Sequence, residues 1–205
     1  MEKKLPKVLL VAATENELPK QRAEGVNYLV TGVGMVATTF ALTKELSRSS
    51  VDLVVDCGIA GSFVDLAIGD VVEVVSDRIV ELGVEDNGRF ISADELKLCA
   101  ESELQFHTDK RITALPSANG ITVNRVHGNQ DTIEAVWKQF KPNVETMEGA
   151  AVAYVCQQFD VPWVQIRAIS NKVEPRNRGA WNIPLALKNL HSVVENYLNS
   201  VLDEA

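Results

Sequence analysis

Four polar side chains of the sequence stand where predicted strands and helices begin or end. Glu17 follows an apolar strand, Glu148 precedes a helix, and Arg167 and Asn171 lie near the end of another apolar strand. A carboxylate next to a cation stays ionised and can exchange a proton with bound water, and an amide both donates and accepts hydrogen bonds. The four residues are therefore candidates for a site that binds and transforms a small polar molecule.

A helix and the strand after it would position three of these residues. The helix begins with small side chains that let it lie close against a sheet without voids, namely Gly149, Ala150, Ala151 and Ala153. The apolar run 163–169 predicts a central strand, in which period-2 alternation places Arg167, Ile169 and Asn171 on one face. This packing would hold the Met147–Glu148 pair tightly at the helix start.

The order of residues across this helix and strand resembles a known enzyme superfamily. Met-Glu before a small-residue helix, then Val161-Pro162, then an apolar strand ending in Arg-Ala-Ile-Ser-Asn at 167–171, is similar to the carboxy-terminal signature of purine nucleoside phosphorylases and nucleosidases. Within that superfamily the chain is most similar to futalosine hydrolases, and next to 5′-methylthioadenosine/S-adenosylhomocysteine nucleosidases. The resemblance runs from Val8 to about Tyr197. It implies an N-glycosyl hydrolase that acts on a nucleoside and water.

The first predicted strand ends in a motif that these families share. The run Ala13-Thr14-Glu15-Asn16-Glu17 is similar to their Ala-x-Glu-x-Glu, whose last residue is the catalytic acid/base, and the resemblance implies that role for Glu17. This edge of an open α/β sheet is also where ligands bind. From the residues alone, Glu15 and Glu17 could instead belong to a solvated first helical turn, where carboxylates complement the helix dipole.

The resemblance also implies roles for residues around the later helix and strand. Glu148 would accept hydrogen bonds from the two ribose hydroxyls, and Asn171 would bind the purine. Arg167 would orient Glu17 and hold it ionised. The residues alone leave open a first-turn carboxylate stabilised by the helix dipole for Glu148, and a buried ion pair for Arg167. Further expected substrate contacts are Met147, Ser170, Ala60, Gly61 and Val126.

The end of the last strand bears on which purine is cleaved. Adenosine-type nucleosidases have Ser-Asp where this chain has Ser170-Asn171. An Asn amide can donate to N7 and O6 of hypoxanthine, whereas an ionised Asp would face the lone pairs of O6. We therefore expect a 6-oxopurine nucleoside as substrate. The resemblance implies conversion of futalosine to hypoxanthine and dehypoxanthine futalosine, on the futalosine route to menaquinone. A methylthioadenosine/S-adenosylhomocysteine nucleosidase and a non-catalytic nucleoside-binding protein remain alternatives.

Two other segments bear on substrate contacts. Residues 125–129 depart from the Gly-Asp-x-Phe segment whose aromatic residue stacks on the base in adenosine-type nucleosidases, so Val126 or His127 could take that place. A histidine in a loop is more often solvated. Futalosine carries a benzoate, for which Arg176 and Arg178 are the candidate cations. The alternative is a solvated basic loop.

A glycine-rich turn suggests a different function, dinucleotide binding. Gly32-Val-Gly34-Met-Val-Ala37 follows a predicted strand, as in dinucleotide-binding folds, and Asp52 or Asp56 could be the acidic ribose ligand. These glycines follow the second strand rather than the first, which favours a tight turn that packs a helix on the sheet.

A phosphorylase would need cations around phosphate, and the turns at 14–17 and 58–63 contain no arginine. We therefore expect water as the nucleophile and no cofactor.

Length and composition limit the fold and the partners. The chain has 205 residues, 46% of them apolar, and its strands alternate with helices. This predicts one domain over 1–205 with a three-layer α/β fold, a mixed central sheet and helices on both faces. One of those helices would cover 95–104, with Asp94 as its N-cap.

Charge and cysteine usage limit the function further. A net charge of -8 with scattered Lys and Arg argues against nucleic-acid binding, and no stretch suits a membrane span. The three cysteines and three histidines show no metal-ligand spacing. The cysteines are odd in number and far apart, which is typical of reduced thiols in a cytoplasmic protein. By resemblance we expect a homo-oligomer, most simply a dimer.

Overall fold

A computed structural model describes residues 5–108 and 114–203. The strands are β1 (Val8–Ala12), β2 (Val26–Val30), β3 (Leu53–Ser62), β4 (Val71–Ile79), β5 (Gly83–Asp86), β6 (Arg89–Ser92), β7 (Gln105–His107), β8 (Ser117–Thr122), β9 (Val144–Thr146) and β10 (Trp163–Lys172). The helices are α1 (Met35–Leu46), α2 (Gln130–Phe140), α3 (Gly149–Gln158) and α4 (Ile183–Asp203). None of these helices is both long and apolar enough to cross a membrane.

Eight of the strands form one mixed sheet. Its order is β10-β4-β8-β9-β3-β1-β2, and β7 pairs with β4. Because β10 also pairs with β3, the strands β3, β10, β4, β8 and β9 close into a ring. β1, β3 and β10 are parallel, so their carboxyl ends meet at one edge of the sheet. β5 and β6 form a separate hairpin.

Helices cover both faces of the sheet with apolar side chains. On one face, Leu190 of α4 packs in a core cluster with Ile166 of β10. On the other face, Leu42 of α1 and Val152 of α3 pack in a cluster with Val54 of β3. Successive strand side chains point to opposite faces, which is why both faces can be apolar. The predicted three-layer α/β fold with a mixed central sheet is confirmed.

The helix predicted over 95–104 is wrong. This segment consists of turns and one 3-10 turn at Glu101–Glu103. Lys97 has a φ of 58°, a left-handed conformation that an α-helix of L-residues cannot continue through. Asp94 caps no α-helix. It instead forms an ion pair with Arg78, in which Oδ2 of Asp94 lies 2.7 Å from Nη2 of Arg78.

Candidate active site

A cavity of about 340 Å³ lies where β1, β3 and β10 end and α3 begins. Eight residues expected at the site from the sequence line it: Glu17, Ala60, Gly61, Val126, Met147, Glu148, Ser170 and Asn171. The other three expected residues, Arg167, Arg176 and Arg178, lie outside its lining. Apolar walls are added by Val33, Ile59, Trp181, Ile183 and Leu187. The fold thus brings the eight expected residues together from five separate segments of the chain.

Glu17 stands at the cavity wall with 9% of its surface exposed. Its Oε2 accepts hydrogen bonds from the N–H of Thr14 at 2.9 Å and from the Thr14 hydroxyl at 2.8 Å. Its Oε1 accepts from the N–H of Ile59 at 3.3 Å. Glu15, two residues earlier, is exposed and pairs with Arg22. The solvated-turn interpretation therefore fits Glu15 and does not fit Glu17.

Arg167 is buried behind the cavity, and its ion-pair partner is Asp56. Nη2 of Arg167 donates to Oδ2 of Asp56, which lies on the neighbouring strand β3. Among the described residues no hydrogen bond joins Arg167 to Glu17, because Asp56 binds the guanidinium and Thr14 and Ile59 bind Glu17, so the expected role of Arg167 toward Glu17 stays a prediction. Burial raises the pKa of Asp56, and the adjacent charge of Arg167 opposes that rise.

Gly58 lets Glu17 and Arg167 approach the same point of β3. A Cβ at Gly58 would lie 3.0 Å from Oε1 of Glu17 and 3.1 Å from Nη1 of Arg167. Burial works to lower the pKa of Arg167, but the nearby carboxylates, Asp56 first, outweigh it and raise that pKa. A permanent positive charge therefore lies close to Glu17 without touching it.

Glu148 is half-buried at the start of α3 and points toward the glycine-rich turn. Its Oε1 accepts a hydrogen bond from the N–H of Gly34 at 2.8 Å. Gly34 has a φ of 90°, which favours glycine. Burial raises the pKa of Glu148, and the Gly34 N–H and the charge of Arg167 oppose that rise.

The dinucleotide hypothesis finds no support in this geometry. The N–H of Gly34, which would face a pyrophosphate, is bound by Glu148, and Asp56 is buried in its pair with Arg167. The turn therefore serves helix packing and the position of Glu148. Within residues 5–108 and 114–203, no group of three or more His, Cys, Asp or Glu side chains could hold a metal ion.

A β-bulge in β10 decides where Ser170 and Asn171 point. Pairing with β3 steps from Ile169–Ala60 to Asn171–Gly61, so Ser170 is the extra residue. Such an insertion interrupts the alternation of side chains. The predicted common face of Ile169 and Asn171 is therefore wrong, and both Ser170 and Asn171 reach the cavity.

The amide of Asn171 retains a donor for a ligand. Its Oδ1 accepts from the Ser170 hydroxyl at 2.8 Å, and its Nδ2 donates to the carbonyl of Lys172 at 2.9 Å. An amide nitrogen carries two N–H donors. Among the described residues, only one of these two donors has a partner.

One cavity residue, Glu145, was not assigned to the site by sequence reasoning, and it holds His127, which was considered only for the base-stacking place. Glu145 lines the cavity, and Oε1 of Glu145 accepts from the backbone N–H of His127 at 3.0 Å. The ring Nδ1 of His127 lies 2.7 Å from Oε2 of Glu145, and only 12% of the His127 side chain is exposed. The expectation of a solvated His127 is therefore wrong. The available signal was the position of Glu145, two residues before Met147.

Arg176 and Arg178 are exposed and stand outside the cavity lining. The backbone N–H of Arg176 donates to the carbonyl of Gly128 at 3.1 Å. Its guanidinium carbon lies 6.0 Å from the ring centre of Trp181, and that ring is a cavity wall. Arg178 begins a short 3-10 turn, Arg178–Ala180. Arg176 therefore lies beside a residue of the cavity wall.

A family model described as the phosphorylase superfamily matches residues 20–199. The chain belongs to this superfamily. The matched range contains Glu148, Arg167 and Asn171, and Glu17 lies just ahead of it. The superfamily and the enzyme class expected from the sequence, N-glycosyl hydrolase, are confirmed.

Similar proteins of the superfamily carry two names. A futalosine hydrolase of Acidothermus cellulolyticus is 32% identical over 172 residues, which cover 79% of this chain and 70% of that protein. A 5′-methylthioadenosine/S-adenosylhomocysteine nucleosidase of Shewanella pealeana is 32% identical over 150 residues, which cover 68% of this chain and 65% of that protein. The solved futalosine hydrolase of Helicobacter pylori strain 26695 superimposes with a TM-score of 0.78 at 20% identity, over 98% of this chain and 99% of that chain. This likeness supports the fold.

Proposed function

We propose that this protein hydrolyses the N-ribosyl bond of a 6-oxopurine nucleoside, with futalosine as its substrate and hypoxanthine and dehypoxanthine futalosine as products. The observation that carries the proposal is that Glu17, Glu148 and Asn171 face one cavity of about 340 Å³. The similarity of the chain to futalosine hydrolases and to nucleosidases supports the reaction class.

The two carboxylates suit two separate needs of the reaction. Cleavage passes through a cationic, oxocarbenium-like ribosyl group. Glu148 accepts hydrogen bonds from the ribose hydroxyls, and its charge favours that cation. Glu17 takes a proton from the water that attacks the anomeric carbon, while the electron pair of the broken C–N bond passes to the base, which gains its proton from solvent water to give hypoxanthine.

Asn171 suits the departing base. Its free N–H donates to N7 or O6 of hypoxanthine as negative charge develops on the purine. Asn cannot transfer a proton as an acid does, but a 6-oxopurine is a better leaving group than adenine and needs less help. Ser170 supports this role, because its hydroxyl donates to Oδ1 of Asn171 and so orients the amide.

The cavity walls support water as the nucleophile. Among the described residues, no Lys or Arg side chain lines the cavity. An inorganic phosphate would need such cations or a comparable set of donors around its oxygens. Hydrolysis is therefore favoured over phosphorolysis.

The apolar walls and Arg176 suit the benzoate arm of futalosine. Trp181, Ile183 and Leu187 provide apolar surface for a ring, and the guanidinium carbon of Arg176 lies 6.0 Å from the ring centre of Trp181. A small movement of this exposed loop would bring the cation to a carboxylate at the cavity mouth.

A second candidate function is cleavage of methylthioadenosine or S-adenosylhomocysteine. The nucleosidase of Shewanella pealeana favours it, since its identity to this chain equals that of the Acidothermus cellulolyticus futalosine hydrolase. The same apolar walls would accept a thioether. Asn171 argues against it, because an amide supplies no acidic proton to adenine N7.

The deciding experiment compares the release of hypoxanthine from futalosine with the release of adenine from methylthioadenosine. We expect clearly faster cleavage of futalosine, without any need for phosphate. Asn171→Asp should shift the preference toward the adenine nucleoside. Faster cleavage of methylthioadenosine by the wild-type protein would establish the second candidate instead, and a strict phosphate requirement would exclude hydrolysis.

We also propose that the protein forms a homo-oligomer. Helix α1 exposes 83% of Val36 and 70% of Phe40, apolar surface that a second copy could cover. Sedimentation should give a species larger than the 22.5 kDa chain, and a monomer alone would contradict this.

A further inference from the structure

A chain of buried polar side chains connects the sheet to the start of α3. The hydroxyl of Thr122 donates to Oδ1 of Asp77 at 2.9 Å and accepts from the N–H of Ala150 at 2.8 Å. Gln165 donates to the other oxygen of Asp77 at 3.0 Å. Asp77, Thr122 and Gln165 have no exposed surface, and none of them lines the cavity.

The backbone of α3 fits closely on these side chains. A Cβ at Gly149 would come closer than 3.0 Å to both Gln165 Nε2 and Asp77 Oδ2, although real Cβ atoms do not approach other atoms so closely. The N–H of Gly149 donates to the Thr146 hydroxyl at 3.3 Å, and that hydroxyl lies 3.2 Å from the Thr122 hydroxyl. The start of the helix is therefore held in one position by contacts from several strands.

This arrangement replaces an ordinary helix cap. The first N–H groups of a helix have no partner within the helix, and the side chain of the N-cap residue usually satisfies one of them. Here the N-cap is Glu148, whose side chain makes no capping hydrogen bond. Thr122 and Thr146 bind the first two N–H groups instead. The carboxylate of Glu148 is thereby free to point at Gly34 and the cavity.

We propose that Asp77 and Thr122 are positioning residues for Glu148, which hold the start of α3 so that this carboxylate meets the substrate. The inference rests on the proposed contact between Glu148 and the ribose. Asp77 orients the Thr122 hydroxyl by accepting its only hydrogen, so that the oxygen lone pairs face Ala150. Neither residue touches the substrate.

The first test compares two changes at Thr122. Thr122→Val keeps the shape but removes the hydroxyl, and we expect kcat/KM for the nucleoside to fall by about 10- to 100-fold, since small displacements of a substrate contact have effects of this size. Thr122→Ser restores the hydroxyl and should keep activity within about 3-fold of wild type. Each protein is assayed well below its own thermal midpoint, so that only folded protein is compared.

A double-mutant cycle separates positioning from general damage. If Thr122 acts through Glu148, Thr122→Val should cause little further loss in a protein that already carries Glu148→Gln. An equal loss in both backgrounds, or an equal loss in Thr122→Ser and Thr122→Val, would overturn the proposal. If Glu148→Gln alone has no effect, the proposed ribose contact fails, which is a different outcome.

Asp77 provides an independent pair of variants should Thr122→Val not fold. Asp77→Asn keeps an oxygen that can accept from Thr122 and should retain activity, whereas Asp77→Ala should lose activity as Thr122→Val does. Asp94→Asn serves as a matched control, because Asp94 pairs with Arg78 and stands outside the site cavity. Full activity in Asp77→Ala, or a loss in Asp94→Asn as large as in Asp77→Ala, would contradict the positioning role.

Discussion

Glu15 and Glu17 are two residues apart and have opposite environments. One is exposed and paired with Arg22, and the other is buried at the cavity with hydrogen bonds from Thr14 and Ile59. Hydrogen bonds from three donors hold the Glu17 carboxylate in one orientation at the cavity wall. The short turn after β1, and not the charge of either side chain, produces this difference.

Glu17→Gln should lower turnover by about 10²-fold or more while substrate binding stays nearly intact, as expected when a positioned acid/base is lost. Single-turnover rates and ligand affinity are the two measurements. Glu15→Gln is the matched control, and it should behave as wild type because that side chain faces solvent. Unchanged turnover in Glu17→Gln would assign the role to another group.

Arg176→Ala should raise the KM for futalosine by about 5-fold, which corresponds to the roughly 1 kcal/mol of a favourable exposed ion pair, and should leave inosine cleavage unchanged. The reason is that inosine lacks the benzoate carboxylate. Arg178→Ala removes the same charge two residues away and should affect neither substrate. Equal changes for both nucleosides in Arg176→Ala would refute this assignment.

The start of α3 shows how an element carries a functional residue. Gly149 follows Glu148 directly and lies on Asp77 and Gln165, so the helix can approach the sheet only with a glycine there. On β10, the bulge at Ser170 turns Asn171 into the cavity. In the first case a missing side chain, and in the second an extra residue in the strand, determines where the polar side chain lies.

Gly149→Ala should destabilise the protein by about 1 to 3 kcal/mol, the range for overpacking a buried site, although alanine is normally the better helix former. Activity should fall with it, because Glu148 moves with the helix start. Denaturant unfolding measures the first effect. Gly179→Ala is the control, since the nearest atom to its Cβ would be Oδ1 of Asn177 at 3.6 Å. A more stable Gly149→Ala protein would contradict the packing argument.

Across the whole molecule, buried carboxylates make stability depend on pH. Burial raises the pKa of Asp77 to about 6, although hydrogen bonds from Gln165 and Thr122 oppose it. A carboxyl group whose pKa is higher in the folded state binds protons more readily when folded. Its contribution to stability is therefore fully present below pH 4 and is lost as the pH rises through about 6.

Asp77→Asn should remove this dependence. Gln165 can turn its amide so that Oε1, which has no hydrogen-bond partner among the described residues, accepts from the new amide. The unfolding free energy of the variant relative to wild type should therefore rise by about 3 kcal/mol between pH 4 and pH 7, which is about two pKa units of linkage. Denaturant titrations at the two pH values measure it. A difference that does not change with pH would contradict a raised pKa at Asp77.

Much of the fold and several site residues followed from the sequence, because they depend on local patterns. Apolar runs such as 8–13 and 163–169 mark buried strands, and small residues after Glu148 mark a helix packed on a sheet. The same patterns indicated that Glu17, Glu148 and Asn171 stand at element ends. Their resemblance to the superfamily motifs then connected them to one reaction.

Only the tertiary structure decided which groups pair with one another. The partner of Arg167 is Asp56, 111 residues away, and the partner of the cavity residue Glu145 is His127. Such pairs depend on strand register, and a single extra residue at Ser170 changes which face a side chain occupies. Strand register cannot be predicted from local sequence, because it is established when strands that are distant in the chain pack together. The sequence therefore determined the candidate groups, and the packed sheet determined their partners.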